Sequence, residues 1–83
     1  MATKKTDVRA PMSGIFYRSP SPEDAPYVEV GDVVKKKQVI GLLETMKVFQ
    51  KVKSPADGLI SEIVPENETP VKDNDLMFVI EAE

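Results

Sequence analysis

Lys47 is the residue around which chemistry can be built. It lies in Glu44-Thr45-Met46-Lys47-Val48-Phe49 and interrupts an apolar stretch over residues 39–49, whereas the other eight lysines (Lys4, Lys5, Lys35, Lys36, Lys37, Lys51, Lys53 and Lys72) have ordinary polar surroundings. A single ammonium in such a setting belongs on a turn between two strands, where it is presented for covalent modification. A lysine amine titrates near about 10.4 and is mostly protonated at neutral pH, so it is a poor nucleophile by itself. Any reaction at Lys47 needs an activated reagent supplied by another protein. Glu44 invites a general-base role, but nothing around it completes a site. No catalytic residue and no metal ligand is therefore assigned.

The composition removes most other chemistry. With no cysteine and no histidine in 83 residues, the chain has no thiol nucleophile, no Cys/His zinc site, no disulfide and no Ser-His-Asp triad. A net charge of −3 disfavours phosphate backbones, and the five aromatics lack the basic interleaving of a base-stacking surface, so no nucleic-acid partner is expected. The apolar runs fall short of the ~20 residues of a membrane-spanning helix, and the polar start is unlike a secretory signal. The expectation is one soluble cytoplasmic domain with no membrane partner, its residues 1–6 a flexible lead and residues 7–83 the folded unit.

The elements that must position Lys47 are strands. Seven prolines and four glycines leave no segment with the length and 3.6-residue period of a helix. The expected strands are 7–10, 15–18, 28–30, 39–44, 48–53, 58–64 and 76–81, with Val39, Leu42, Val52, Ile63, Val71, Phe78 and Ile80 in the core. The chain also repeats itself. Arg9-Ala10-Pro11-Met12-Ser13-Gly14-Ile15 aligns with Lys53-Ser54-Pro55-Ala56-Asp57-Gly58-Leu59 at an offset of 44, and Val39-Ile40-Gly41-Leu42-Leu43-Glu44 aligns with Leu76-Met77-Phe78-Val79-Ile80-Glu81 at an offset of 37. The difference, 44 − 37 = 7, is extra sequence in the first half, best placed in the proline-rich residues 19–26, a stiff protruding loop. Two equivalent halves imply a pseudo-two-fold that pairs the Lys47 turn with the place where the chain ends meet.

These residues resemble a known family. Glu44-Thr45-Met46-Lys47-Val48 is similar to the Glu-Ala-Met-Lys-Met signature of biotinyl carrier domains, with Thr45 and Val48 as departures from it. The resemblance extends through Ala10-Pro11-Met12-Ser13-Gly14, Phe16-Tyr17, Val30-Gly31-Asp32, Val34 and Pro55-Ala56-Asp57-Gly58. Arg18-Ser19-Pro20-Ser21-Pro22 is similar to the Arg-Thr-Pro-Ser-Pro of the "thumb" in carriers of the acetyl-CoA carboxylase type. The resemblance implies an all-β fold, a flattened antiparallel barrel or sandwich of two four-stranded sheets with pseudo-two-fold symmetry.

It further implies a non-catalytic carrier. A biotin protein ligase would attach biotin to Lys47, and the tethered group would carry activated CO2 from biotin carboxylase to a carboxyltransferase acting on acetyl-CoA or another acyl-CoA. Met46 is expected at the ligase-recognised turn, and Ser19 in the thumb to meet the ureido group of biotin. The rival within the same fold is a lipoyl carrier of a 2-oxo acid dehydrogenase-type complex. Its lysine usually follows Asp, whereas Lys47 follows Met46, and it lacks the thumb.

Overall fold

The β-branched and aromatic runs become short strands because the Pro, Gly, Asp and Asn clusters between them close tight turns. In the computed structural model, which describes residues 4–21, 23–46 and 48–82, the strands are β1 (Lys4–Arg9), β2 (Gly14–Tyr17), β3 (Val33–Val34), β4 (Val39–Glu44), β5 (Phe49–Lys53), β6 (Gly58–Ile63), β7 (Thr69–Val71) and β8 (Leu76–Ala82). They form two four-stranded sheets, ordered β5-β4-β2-β7 and β1-β8-β6-β3, in which every pairing is antiparallel. The result is the flattened all-β sandwich expected. No helix among the described residues is long and apolar enough to cross a membrane.

The internal repeat is present in the strand order and in the turn hydrogen bonds. An offset of 58 − 14 = 44 carries β2 onto β6, and one of 76 − 39 = 37 carries β4 onto β8, so each sheet maps onto the other strand for strand. Lys37 and Asn74, 37 residues apart, both adopt positive φ (74° and 75°). Their amides donate to the Ser54 and Ala10 carbonyls at 2.7 and 2.8 Å. Gly31 and Glu68, also 37 apart, have φ of 100° and 61°, and donate to the Ile60 and Phe16 carbonyls at 2.8 and 2.7 Å. The alignment of the chain to itself therefore reports a real two-fold.

Both halves fill one core. Phe16, Ile40, Leu43, Ile60, Met77, Phe78 and Ile80 are buried between the sheets, and Phe16 and Phe78 meet edge to face with ring centroids 5.7 Å apart. The symmetry yields here for packing. Gly41 occupies the position equivalent to Phe78, and a Cβ on it would come within 2.8 Å of the Phe16 ring. One half gives up a side chain so that the other can place a ring in the centre, where aromatic pairs add roughly 0.5–1.5 kcal/mol beyond area burial.

Several expectations need correction. No strand forms over residues 28–30; Gly31 with its positive φ, and the Glu29 amide donating to the Asp32 carboxylate at 2.9 Å, make that stretch a turn and move the strand to β3. β7 went unforeseen because it contains Pro70, which an edge strand tolerates on its outer side. Val39 and Ile63 are half-buried, Val39 because a register shift follows it and turns Ile40 inward instead. Leu42, Val52, Val71, Phe78 and Ile80 are buried as expected. Lys4, Lys5 and Thr6 belong to β1 and pair with Ala82, Glu81 and Ile80, since β8 runs far enough to offer them partners. Residues 1–3 lie outside the described ones.

Candidate functional site

The turn that carries Lys47 joins β4 to β5. Its flanks are held in register, Leu43 opposite Gln50 and Glu44 opposite Phe49. Thr45 closes it twice over: its amide donates to the Val48 carbonyl at 2.9 Å and its hydroxyl donates to the same oxygen at 3.2 Å. The threonine that departs from the family signature thus braces the turn. Lys47 itself lies outside the described residues. Met46 beside it is 98% exposed, so it fills no sheet edge and is available to a partner. Val48 and Phe49 are exposed as well, which makes the tip an apolar surface around the lysine position.

The thumb rises next to this hairpin. Its stem is closed by the Tyr27 amide donating to the Arg18 carbonyl at 2.7 Å and by the Arg18 guanidinium donating to the Val28 carbonyl at 3.2 Å. Within it, the Ser19 hydroxyl donates to the Ser21 carbonyl at 2.9 Å and the Ser21 hydroxyl to the Asp24 carboxylate at 2.9 Å. Ser19 is buried, with its proton committed and its oxygen lone pairs left as acceptors. Pro22, also part of the thumb, is outside the described residues.

Between thumb and sheet lies a cleft of about 320 Å³. Ser19, Pro20 and Ser21 form one wall, and Tyr17, Leu42, Phe49 and Glu68 form the rest. The Tyr17 and Phe49 rings are tilted against each other at 6.3 Å. Tyr17 is fixed by donating its hydroxyl to the Glu44 carboxylate at 2.7 Å. That hydrogen bond, with desolvation and the negative charges of Glu44 and Glu68, holds the phenol above its ordinary value of 10.0. Glu44 therefore orients a wall of the cleft and is engaged away from any role as base.

Of the two further residues expected at the site, Ser19 lines this cleft and Met46 does not, lying instead on a separate concavity with Ser13, Gly14, Ile15 and Thr45; Tyr17, Phe49, Leu42 and Glu68 were missed as cleft lining. The available signal was parity: Tyr17 alternates with the buried Phe16 and must face outward on β2, and Phe49 is 61% exposed at the start of β5. The cleft offers both apolar and polar contacts. Leu42, Phe49 and Pro20 offer apolar contact, and the Ser19 oxygen offers an acceptor for an N–H. Among the described residues, no three His, Cys, Asp or Glu side chains cluster as metal ligands would.

Comparison with known proteins shows the family of the chain. The family model described as biotin-requiring enzyme (biotin/lipoyl) matches residues 6–80. The chain is 40% identical over 74 residues to the biotin carboxyl carrier protein of acetyl-CoA carboxylase 1, chloroplastic, of Arabidopsis thaliana, covering 89% of this chain and 26% of that protein. It is 43% identical over 65 residues to the biotin carboxyl carrier protein of acetyl-CoA carboxylase of Streptococcus pyogenes serotype M6, covering 78% of this chain and 39% of the relative. The Pseudomonas aeruginosa protein of the same name is 41% identical over 73 residues, covering 88% and 47%. The chain thus spans roughly a quarter to a half of the length of these relatives. Among solved structures, the urea carboxylase of Kluyveromyces lactis superposes with a TM-score of 0.78 at 25% identity, over 93% of this chain and 6% of the other.

Proposed function

Because this chain belongs to the biotin/lipoyl family of biotin-requiring enzymes, we propose that it is a non-catalytic biotin carrier whose Lys47 is modified by a biotin protein ligase. The observation that carries the reading is the Thr45-closed turn at the tip of β4 and β5, which has an exposed Met46 and stands beside the thumb cleft. The names of the relatives favour acetyl-CoA carboxylase as the host activity, with biotin carboxylase and a carboxyltransferase as the proteins visited. We place the carrier in the cytoplasm, a setting that suits a chain with no disulfide to maintain.

Biotin supplies a ureido nitrogen that can hold a carboxyl group between two active sites. This chain's residues do the rest. Glu44 and Phe49, in register across the hairpin, anchor the lysine turn from both sides. Ser19 would accept from a ureido N–H, while Pro20, Leu42 and Phe49 would shield the ring from water at rest. Tyr17, held by Glu44, forms part of the cleft wall.

The test is expression with a biotin protein ligase, followed by intact mass and peptide mapping. One biotin is expected, on Lys47, and none in Lys47→Arg. Label on residues 35–37 instead, or a lipoyl mass, overturns the assignment. In the same holo protein, replacing residues 19–26 by a short Gly-containing turn leaves biotinylation intact, because loop-closure entropy changes by only about 0.6 kcal/mol per doubling of length. Faster ring motion by NMR relaxation is expected in that variant, and unchanged motion removes Ser19 from the site.

A further inference from the structure

Five of the nine lysines lie on two adjoining segments, the loop after β3 and the edge strand β5. Lys35, Lys36 and Lys37 follow β3, and Lys51 and Lys53 lie on β5, the open edge of its sheet; all five are exposed. The two segments are stitched together by the Lys37 amide donating to the Ser54 carbonyl at 2.7 Å, the Ser54 amide donating to the Gln38 carbonyl at 2.8 Å, and Lys53 standing opposite Val39. The Asp57 carboxylate accepts from the Lys36 backbone amide at 2.6 Å and is the acid in their midst. Among the described residues the only ion pair is Arg9 with Asp7, so none of the five lysines is in one.

The second half supplies an internal control. Offsets of 37 and 44 put Lys72, Asp73, Asn74, Asp7 and Arg9 where the first half has Lys35, Lys36, Lys37, Lys51 and Lys53. The backbone there makes the same hydrogen bonds, Asn74 to Ala10 and Ala10 to Asp75, both at 2.8 Å. Folding this corner therefore does not require five positive charges: the equivalent corner balances two positive against two negative at the same positions. In a chain of net charge −3, five like charges held together also repel one another.

We propose that this lysine corner is the docking surface for an acidic face on the biotin carboxylase subunit, an inference that rests on the carrier reading above. Lys53 lies five residues past Val48, about 17 Å along the strand at ~3.3 Å per residue, and Lys51, opposite Leu42, is the member nearest the turn at about 10 Å, so a protein seated on the 35–37 loop and Lys53 leaves the turn and its tethered group free to swing. Attraction between exposed charges is long-ranged yet weak once docked, which suits a carrier that must leave as readily as it arrives. The same lysines also keep an open β-edge from pairing with another copy, and the experiment separates that role from docking.

The experiment compares holo wild type, the triple variant Lys35→Glu/Lys36→Glu/Lys51→Glu, and a charge-matched control, Lys4→Glu/Lys5→Glu/Lys72→Glu, as substrates of the biotin carboxylase subunit from the same cell. Biotinylation of all three by the ligase establishes the carrier reading first; without label on Lys47, that reading fails and not the docking surface alone. The expected result is a KM for the corner variant raised about tenfold or more, with kcat kept and the salt dependence flattened, while the control shifts far less. Equal KM in all three, or equal shifts in both variants, overturns the proposal. Self-association of the corner variant at unchanged KM assigns the lysines to edge protection instead. Retention of wild type by duplex DNA or phosphatidylserine vesicles at physiological salt, without a KM effect, also overturns it.

Discussion

The hairpin end and the end where the chain termini meet are copies of one another in backbone, and they share almost nothing on their outer faces. Positions related by the repeat read Tyr17 against Ser61 and Phe49 against Lys5, and residues 19–26 have no counterpart. Inward-facing positions are paired far more evenly: Leu43 with Ile80, Ile40 with Met77, Val34 with Val71 and Phe16 with Ile60, all buried. The core thus carries the fold in duplicate, while the cleft is built once, from outward side chains and one insertion.

The two halves depend on each other most at their shared centre. Phe78→Ala, which removes the ring that Gly41 makes room for, should cost about 3–5 kcal/mol, most of the margin available to a small domain. Both ends should fail together in one transition followed by hydrogen exchange. Survival of the hairpin ladder after the terminal ladder has opened would show two independent halves.

A smaller effect tests the equivalence directly. Gly14 and Gly58 are related by the offset of 44, and a Cβ on either would sit 2.6 Å from the Glu44 carbonyl oxygen or 2.5 Å from that of Glu81. Gly14→Ala and Gly58→Ala should each destabilise by about 1–3 kcal/mol, as overpacking does. Matching shifts in chemical denaturation are expected. A marked inequality would mean that the strand approach is needed at one end alone.

The smallest effect sharpens the difference between the ends. Tyr17 is held above its ordinary titration by Glu44, whereas the second half has Ser61 there. The raised value means that the contact's stabilisation is present at neutral pH and is lost as pH climbs past about 10 through the folded value. In a Tyr27→Phe background, Glu44→Gln should bring the Tyr17 phenolate transition to lower pH by ultraviolet absorbance. An unchanged transition would detach Glu44 from the cleft wall.

The repeat was legible in the sequence because turn chemistry and core positions recur at fixed offsets, and from it followed the sheet symmetry and the place of the thumb. The signature around Lys47 was equally plain. β3 and β7 were hidden because one is two residues long and the other contains Pro70, so neither has the run of alternating apolar residues that marks a strand. The cleft lining was hidden because Leu42 read as a core residue, and because only the register of β2, β4 and β5 brings Tyr17, Leu42 and Phe49 to one face. The charge contrast between the two corners lies at positions that only the backbone symmetry equates.

Lys4 stands opposite Ala82, so the chain enters and leaves the sandwich at neighbouring points, at the place the symmetry equates with the lysine turn. Packing alone has no preference for which of these two sites is a loop and which is a gap. A circular permutant, sealed at the ends and opened within residues 45–48, would keep every strand beside its present neighbours. What chain order secures is continuity at one of two interchangeable junctions, and under the proposed function that continuity would give the turn two anchored flanks from which to hold a long arm.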